Sequence, residues 1–145
     1  MGVGPVVGDG VERARLEDKA ERLDLDNVDW MPMQPRDRYV KVLQASDAGL
    51  ATLRAGVHTP TVPSKILSIM AAGRPVIASL PLKGDAPRLI EDSKAGRVVE
   101  AENARALARA ILTLSGDPAA RRALGENGRR YVEAHLSHDA IAGKY

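Results

Sequence analysis

Short apolar runs alternate with stretches of helical periodicity along the chain, and glycine or proline separates most of them. This alternation predicts a parallel sheet covered by helices. Residues 3–7 read as a short buried strand, closed by Gly8, Asp9 and Gly10. Val11, Ala14, Leu16, Ala20 and Leu23 then recur near helical spacing among Glu, Arg and Lys, which predicts an amphipathic helix over 11–24. Residues 27–30 predict a second strand. Pro32 and Pro35 break the chain ahead of a helix over 36–45, with Tyr39, Val42 and Leu43 on one face. Residues 48–53 predict a third strand and 54–60 a loop holding Gly56 and His58.

The stretch 64–72 is apolar almost all round, so its helix is expected to be buried. Gly73 is placed to end that helix in the left-handed conformation, and Pro75 prevents its return. A fourth strand is expected over 76–79, a short helix over 87–92, a turn at Gly96 and a strand over 97–99. Leu107, Ala110, Ile111 and Leu114 predict a helix over 103–114 with Asn103 as its cap. Asp117 followed by Pro118 predicts the cap and first residue of a helix to 135, and a last short helix is expected after Ser137.

Composition narrows the classes of function. The 145 residues are 44% hydrophobic and 28% charged, which fits one globular domain of ordinary size. Trp30, Tyr39, Tyr131 and Tyr145 are the only aromatic residues, so the core must be built from Val, Ile, Leu, Ala and Met. Base-stacking platforms for nucleic acid are thereby nearly excluded. The formal charge of +2 is too small to argue for a nucleic-acid partner. Arg121, Arg122, Arg129 and Arg130 lie among Asp117, Glu126 and Glu133 and read as a solvated helix face. Absence of cysteine removes thiol catalysis, disulfides and zinc sites of the Cys type, which suits a reducing compartment and makes the cytoplasm the expected location. No apolar run approaches the roughly 20 residues needed to cross a bilayer, and residues 1–10 lack the basic start and apolar stretch of a signal peptide.

In an open parallel sheet, ligands bind beyond the carboxyl ends of the strands. Three of the loops expected there have unusual composition: Gly8 to Gly10, residues 30–35, and residues 56–65. The third leads into a helix whose free N–H groups and dipole form an anion site. Lys65 in the first turn opposes that dipole; a bound phosphate would account for it, and the alternative is a lysine that merely reaches solvent. The spacing of Gly2, Gly4 and Gly8 departs from a dinucleotide fingerprint because position 7 is Val, and no strand precedes it. His58, His135 and His138 form no metal-ligand pattern, and no nucleophile elbow is present.

In order, these motifs resemble the carboxyl-terminal, nucleotide-sugar-binding half of a GT-B glycosyltransferase of the large retaining family often called family 4. Val6, Val7, Gly8, Asp9 and Gly10 with Arg13 and Leu16 are similar to "VGDGP-x-R-x-x-L". Asn27 and Val28 through Pro32 resemble "NV-x-F-x-G/P", and Leu43 through Asp47 resemble "L-x-x-A-D". Pro63, Ser64 and Lys65 through Met70, Gly73, Pro75 and Val76 resemble "PSK-x-x-x-x-(M/L)AAG-x-PV", the most specific of the matches. Gly84, Pro87, Leu89 to Asp92 and Gly96 resemble "GG-x-PE-(L/I)(I/V)-E-D-G-x-x-G". The Pro-Ser-Lys variant is closest to enzymes of exopolysaccharide and colanic-acid-type assembly.

The resemblance implies an α/β, Rossmann-like three-layer domain with a parallel sheet flanked by helices. It further implies a donor-binding role in a retaining glycosyltransferase of polysaccharide or glycoconjugate biosynthesis. Thr61, Val62, Pro63, Ser64 and Lys65 would hold diphosphate and sugar, with His58 and Ser68 beside them. Trp30, Met31 and Met33 would flank the base, and Gly8, Asp9 and Gly10 would allow close approach of the ligand. It assigns no catalytic residue, and it implies no cofactor and no metal. Where the family carries two carboxylates this chain has Pro60 and Ser68, and Arg88 stands where the family has Glu.

Members of the family also place an earlier strand and helix, carrying an Arg and a Lys for the diphosphate, ahead of a strand like residues 3–7. A separate amino-terminal domain holds the acceptor. The chain is therefore expected to be a piece of a larger enzyme, 1–145 being the nucleotide-sugar-binding domain. It should be inactive alone, with an exposed sheet edge beside residues 3–7. Its partners would be a nucleotide-sugar and that acceptor domain, with any peripheral membrane association belonging to the full enzyme. Two other functions fit less well: a nucleotide-binding or interaction module without transfer, and a nucleotide-sugar epimerase.

Overall fold

The computed structural model describes residues 4–7, 13–56 and 62–135. Contacts divide the chain into two compact units, Met1–Tyr39 and Val40–Tyr145. In the first, strand β1 (Gly4–Val7) pairs in parallel with β2 (Val28–Met31), and helix α1 (Arg13–Arg22) connects them. Asp24 ends α1 in the left-handed conformation, with φ 54° and a bond from the Leu25 N–H to the Ala20 carbonyl of 2.9 Å. Helix α2 (Arg36–Ala45) carries the chain from the first unit into the second.

The second unit is a three-stranded parallel sheet in the order β3 (Gly49–Thr52), β4 (Val76–Leu80), β5 (Gly96–Glu100). The order of elements and the parallel pairing follow the sequence, and among the described residues the ladders join β1 to β2 and β3 to β4 to β5. Helices α3 (Ser64–Ala71) and α4 (Asp85–Ser93) make the two crossovers. Both steps run the same way across the sheet, so right-handed crossovers place both helices on one face. Gly49 and Val76 are register partners, and a Cβ on Gly49 would lie 2.5 Å from Ile69, which fixes α3 to that face.

Ile77, one residue along, points to the opposite face. There it packs with Leu114 of α5 (Ala104–Ser115) and Leu124 of α6 (Pro118–His135), against Leu107, Ala110 and Ile111. With both faces covered, all five residues of β4 are buried. The core is Ala, Val, Ile, Leu and Met, including Ile66, Ile69, Met70, Leu80 and Ile90, as the scarcity of aromatics requires.

Helix α6 touches the segments that lead into the strands. Its Gly125 lies against the Gly73 carbonyl, Gly128 packs on Ala95 and Met70, and Leu124 joins the cluster that includes Ala48. It thus closes the amino-terminal end of the sheet. Among the described residues, a cleft lies at the opposite, carboxyl end.

Arg122, Arg129 and Arg130 are exposed, as expected of a solvated face, but Arg121 and Arg129 also bond to other helices. Arg121 Nη1 donates to the Leu114 and Ser115 carbonyls at 2.6 and 2.8 Å, satisfying the end of α5. Arg129 Nη1 donates to the Ala71 carbonyl of α3 at 3.2 Å and its Nε pairs with Glu133 at 2.8 Å, while Arg130 binds Asn127. Asn127 in turn donates to the Lys94 carbonyl at 3.0 Å. Arg74 does the same for α2 by donating to the Gln44 carbonyl. Cations at carbonyl ends of helices also meet the favourable end of the dipole.

Both expected caps form: Asn103 Oδ1 accepts from the Ala106 N–H and Asp117 Oδ1 from the Ala120 N–H, each at 3.0 Å. Asp117→Ala should lower the stability of the second unit by about 1 kcal/mol, read by urea unfolding; an unchanged midpoint would show the cap to be redundant. Gly73 ends α3 with φ 75°, as expected. The helix is buried on one face only, because Ser64, Lys65 and Ala71 are exposed. Helix α4 begins two residues earlier than its periodicity suggests, since Gly84 at φ 120° turns the chain ahead of Asp85. Gly96, expected as a turn, is the first residue of β5, and the chain turns just before it at Lys94, which has φ 54°. The helix expected after Ser137 lies outside the described residues. Among the described residues no helix is long and apolar enough to cross a membrane.

Candidate functional site

The amino terminus of α3 stands beyond the carboxyl end of β3, where the sequence places an anion site. Pro63 precedes it at φ −56° and ψ 136°, and no side chain caps the helix. Pro63 has no donor of its own and presets the backbone at the entry. Its carbonyl accepts from the Ile66 N–H at 3.1 Å. A helix start without a side-chain cap presents N–H groups to a ligand.

Ser64 and Lys65 are exposed, and Val62, Pro63 and Ser68 are half-buried around them. Although Lys65 reaches solvent, the protein around its ammonium desolvates it and holds its pKa below the ordinary lysine value. An anion beside it would favour the charged form and reverse that shift. Ser68 Oγ donates to the Ser64 carbonyl at 3.0 Å, so its proton is used within α3 and the oxygen keeps only acceptor capacity.

The structure brings Val62, Pro63, Ser64, Lys65 and Ser68 together at one helix start. Trp30, Met31 and Met33 belong to the first unit. Trp30 lines a cleft of about 510 Å³ with Glu17, Glu21, Asp24 and Leu25, a wall whose charge disfavours a phosphate. The Met31 carbonyl accepts from Arg13 Nη1 at 3.1 Å, and Arg13 Nε pairs with Glu17 at 2.6 Å. Met33 is 69% exposed. Gly8, Asp9, Gly10, His58 and Thr61 lie outside the described residues.

A second cleft, of about 450 Å³, opens at the carboxyl ends of all three strands of the larger sheet. Thr52, Arg54, Ser79, Glu102 and Asn103 line it. Sequence reasoning named none of these as site residues, although each lies at or just past the end of a strand, or at a helix start, where the general rule for open sheets points. Ser79 is buried and its Oγ donates to the Glu100 carbonyl at 3.3 Å.

Comparison with known proteins agrees with this geometry. The family model described as glycosyl transferases group 1 matches residues 5–131. A putative colanic acid biosynthesis glycosyl transferase of Escherichia coli (strain K12), WcaI, is 34% identical over 68 residues, which are 47% of this chain and 17% of WcaI. The solved sucrose-phosphate synthase from Thermosynechococcus elongatus superposes with a TM-score of 0.77 and 27% identity, over 97% of this chain and 36% of that one. HepE of Anabaena in complex with UDP-glucose gives 0.75 and 22%, over 97% and 38%, a likeness of fold. The chain spans little more than a third of each of these two solved enzymes and less of WcaI.

Proposed function

The chain belongs to the glycosyl transferases group 1 family, and we propose that it is the part of a retaining, GT-B glycosyltransferase that binds the nucleotide-sugar donor for polysaccharide or glycoconjugate assembly. The observation that carries this is the α3 start without a side-chain cap, with Lys65 in its first turn, beyond the carboxyl end of a parallel strand. Breaking the bond between sugar and diphosphate leaves negative charge on the departing phosphate oxygen. Donors already aimed at that oxygen lower the barrier, because they need no reorganisation as the charge develops. Here the N–H groups of the first turn of α3 and the Lys65 ammonium would supply them, without a metal. Ser68 would accept from a hydroxyl of the ligand, a weaker partner than the carboxylate the family carries there.

The acceptor and the rest of the cleft would come from other parts of a longer enzyme, including a strand and helix ahead of a strand like residues 3–7. A binding module without transfer is the second reading, favoured by the Ser68 hydroxyl standing in for a carboxylate.

Titration calorimetry of the chain with UDP, GDP and ADP, with and without chelator, should show weak binding of at least one of them that the chelator leaves unchanged. Strict dependence on magnesium would count against the proposal. The 145-residue chain should transfer no sugar, since proximity of donor and acceptor supplies about 7 to 11 kcal/mol of such a barrier. Turnover by the purified chain that Lys65→Ala abolishes would show the acceptor site to be present already.

A further inference from the structure

Glu102 holds a backbone conformation that its residue type disfavours. The Asn103 N–H donates to the Glu100 carbonyl at 3.3 Å, closing a turn after β5 in which Glu102 has φ 61°. That position of a turn favours glycine, because a Cβ crowds the backbone there. Asp24 and Lys94, the other described non-glycine residues with positive φ, each end a helix, where a left-handed residue is common. Glu102 follows a strand and ends no helix.

Its side chain makes a long-range bond. Glu102 Oε2 accepts from the Ala55 N–H at 3.1 Å, across 47 positions of sequence. Ala55 lies in the connection from β3 to α3. Just before it, the Leu53 N–H donates to the Ser79 carbonyl at 2.9 Å, the last ladder bond tying this segment to β4. Glu102 thus takes over where the sheet lets go, at the cleft it lines with Thr52, Arg54 and Asn103.

We infer that Glu102 is a positioning residue for the donor site: its carboxylate fixes the direction in which the chain leaves β3, and so sets where the first turn of α3 and Lys65 meet a diphosphate. The second half of this rests on the donor-site reading above; the clamp itself does not.

Amide hydrogen exchange and UDP calorimetry on the full chain and on Glu102→Gly and Glu102→Gln test it. Glycine relieves the left-handed backbone and removes the clamp, whereas glutamine keeps an acceptor. In Glu102→Gly, exchange at Ala55 should rise by about tenfold or more and spread to Ser64 and Lys65, UDP affinity should fall about three- to tenfold, and Tm should not drop. Glu102→Gln should stay within about twofold of the parent in both readouts. Unchanged exchange at Ala55, a change that stops at Gly56, or parental UDP affinity in Glu102→Gly would overturn the inference. If the exchange pattern appears while the parent chain binds no UDP, the clamp stands and the nucleotide reading falls.

Discussion

Lys65→Ala is expected to weaken UDP binding about 10- to 100-fold, the range for a hydrogen bond from a charged group to a ligand. Its effect on stability should have the opposite character. Desolvation holds the folded-state pKa of Lys65 below its unfolded value, so at neutral pH the unfolded chain carries this charge at lower cost. That penalty is fully present below the folded pKa and fades as pH rises from there toward the unfolded value. Removing the ammonium at pH 7 should leave Tm unchanged or slightly higher. Calorimetry with UDP and a thermal melt of the same sample separate the two effects. Parental affinity in the variant would return Lys65 to the role of an exposed surface lysine. Ser68→Ala should cost less, consistent with one neutral acceptor.

The largest loss of stability should come from Gly96→Ala. Gly96 is the register partner of Val76 at the start of β5, and a Cβ there would overlap the Val76 carbonyl oxygen. The obstacle is backbone of the central strand, whose neighbours on both faces are buried, so it cannot yield as the tip of a side chain would. A cost of about 3 kcal/mol or more follows, equivalent to about 10 °C in Tm for a domain of this size. Gly56→Ala is the control, because no described residue lies within 4 Å of a Cβ at that position and its φ is outside the left-handed region. Equal melting temperatures for the two variants would mean that β5 shifts to accommodate the methyl group.

What the sequence by itself determined was whatever depends on a few neighbouring residues. The α2 boundaries at Arg36–Ala45, the start of α3 at Ser64, the Gly73 ending and the Asn103 and Asp117 caps could all be read from local chemistry. Helical periodicity, proline geometry and side-chain caps act within about one turn, so a short window contains them. The helix start without a side-chain cap, with Lys65 in its first turn, was legible for the same reason: it belongs to a helix end and the residues beside it.

Only the tertiary structure decided which strands share a sheet, because ladder bonds join residues far apart in the chain. The pairings β1 with β2 and β3 with β4 with β5 leave no mark in any short window of sequence. Gly96 looked like a turn residue because glycine suits turns, yet the close approach of β4 is what demands it. Arg121 and Arg129 lie among charged neighbours in sequence, while each also donates to a carbonyl at the end of another helix, which no local pattern announces. Glu102 gave no local sign at all. Its meaning lies in an N–H 47 residues away, and only the folded chain brings the two within a hydrogen bond.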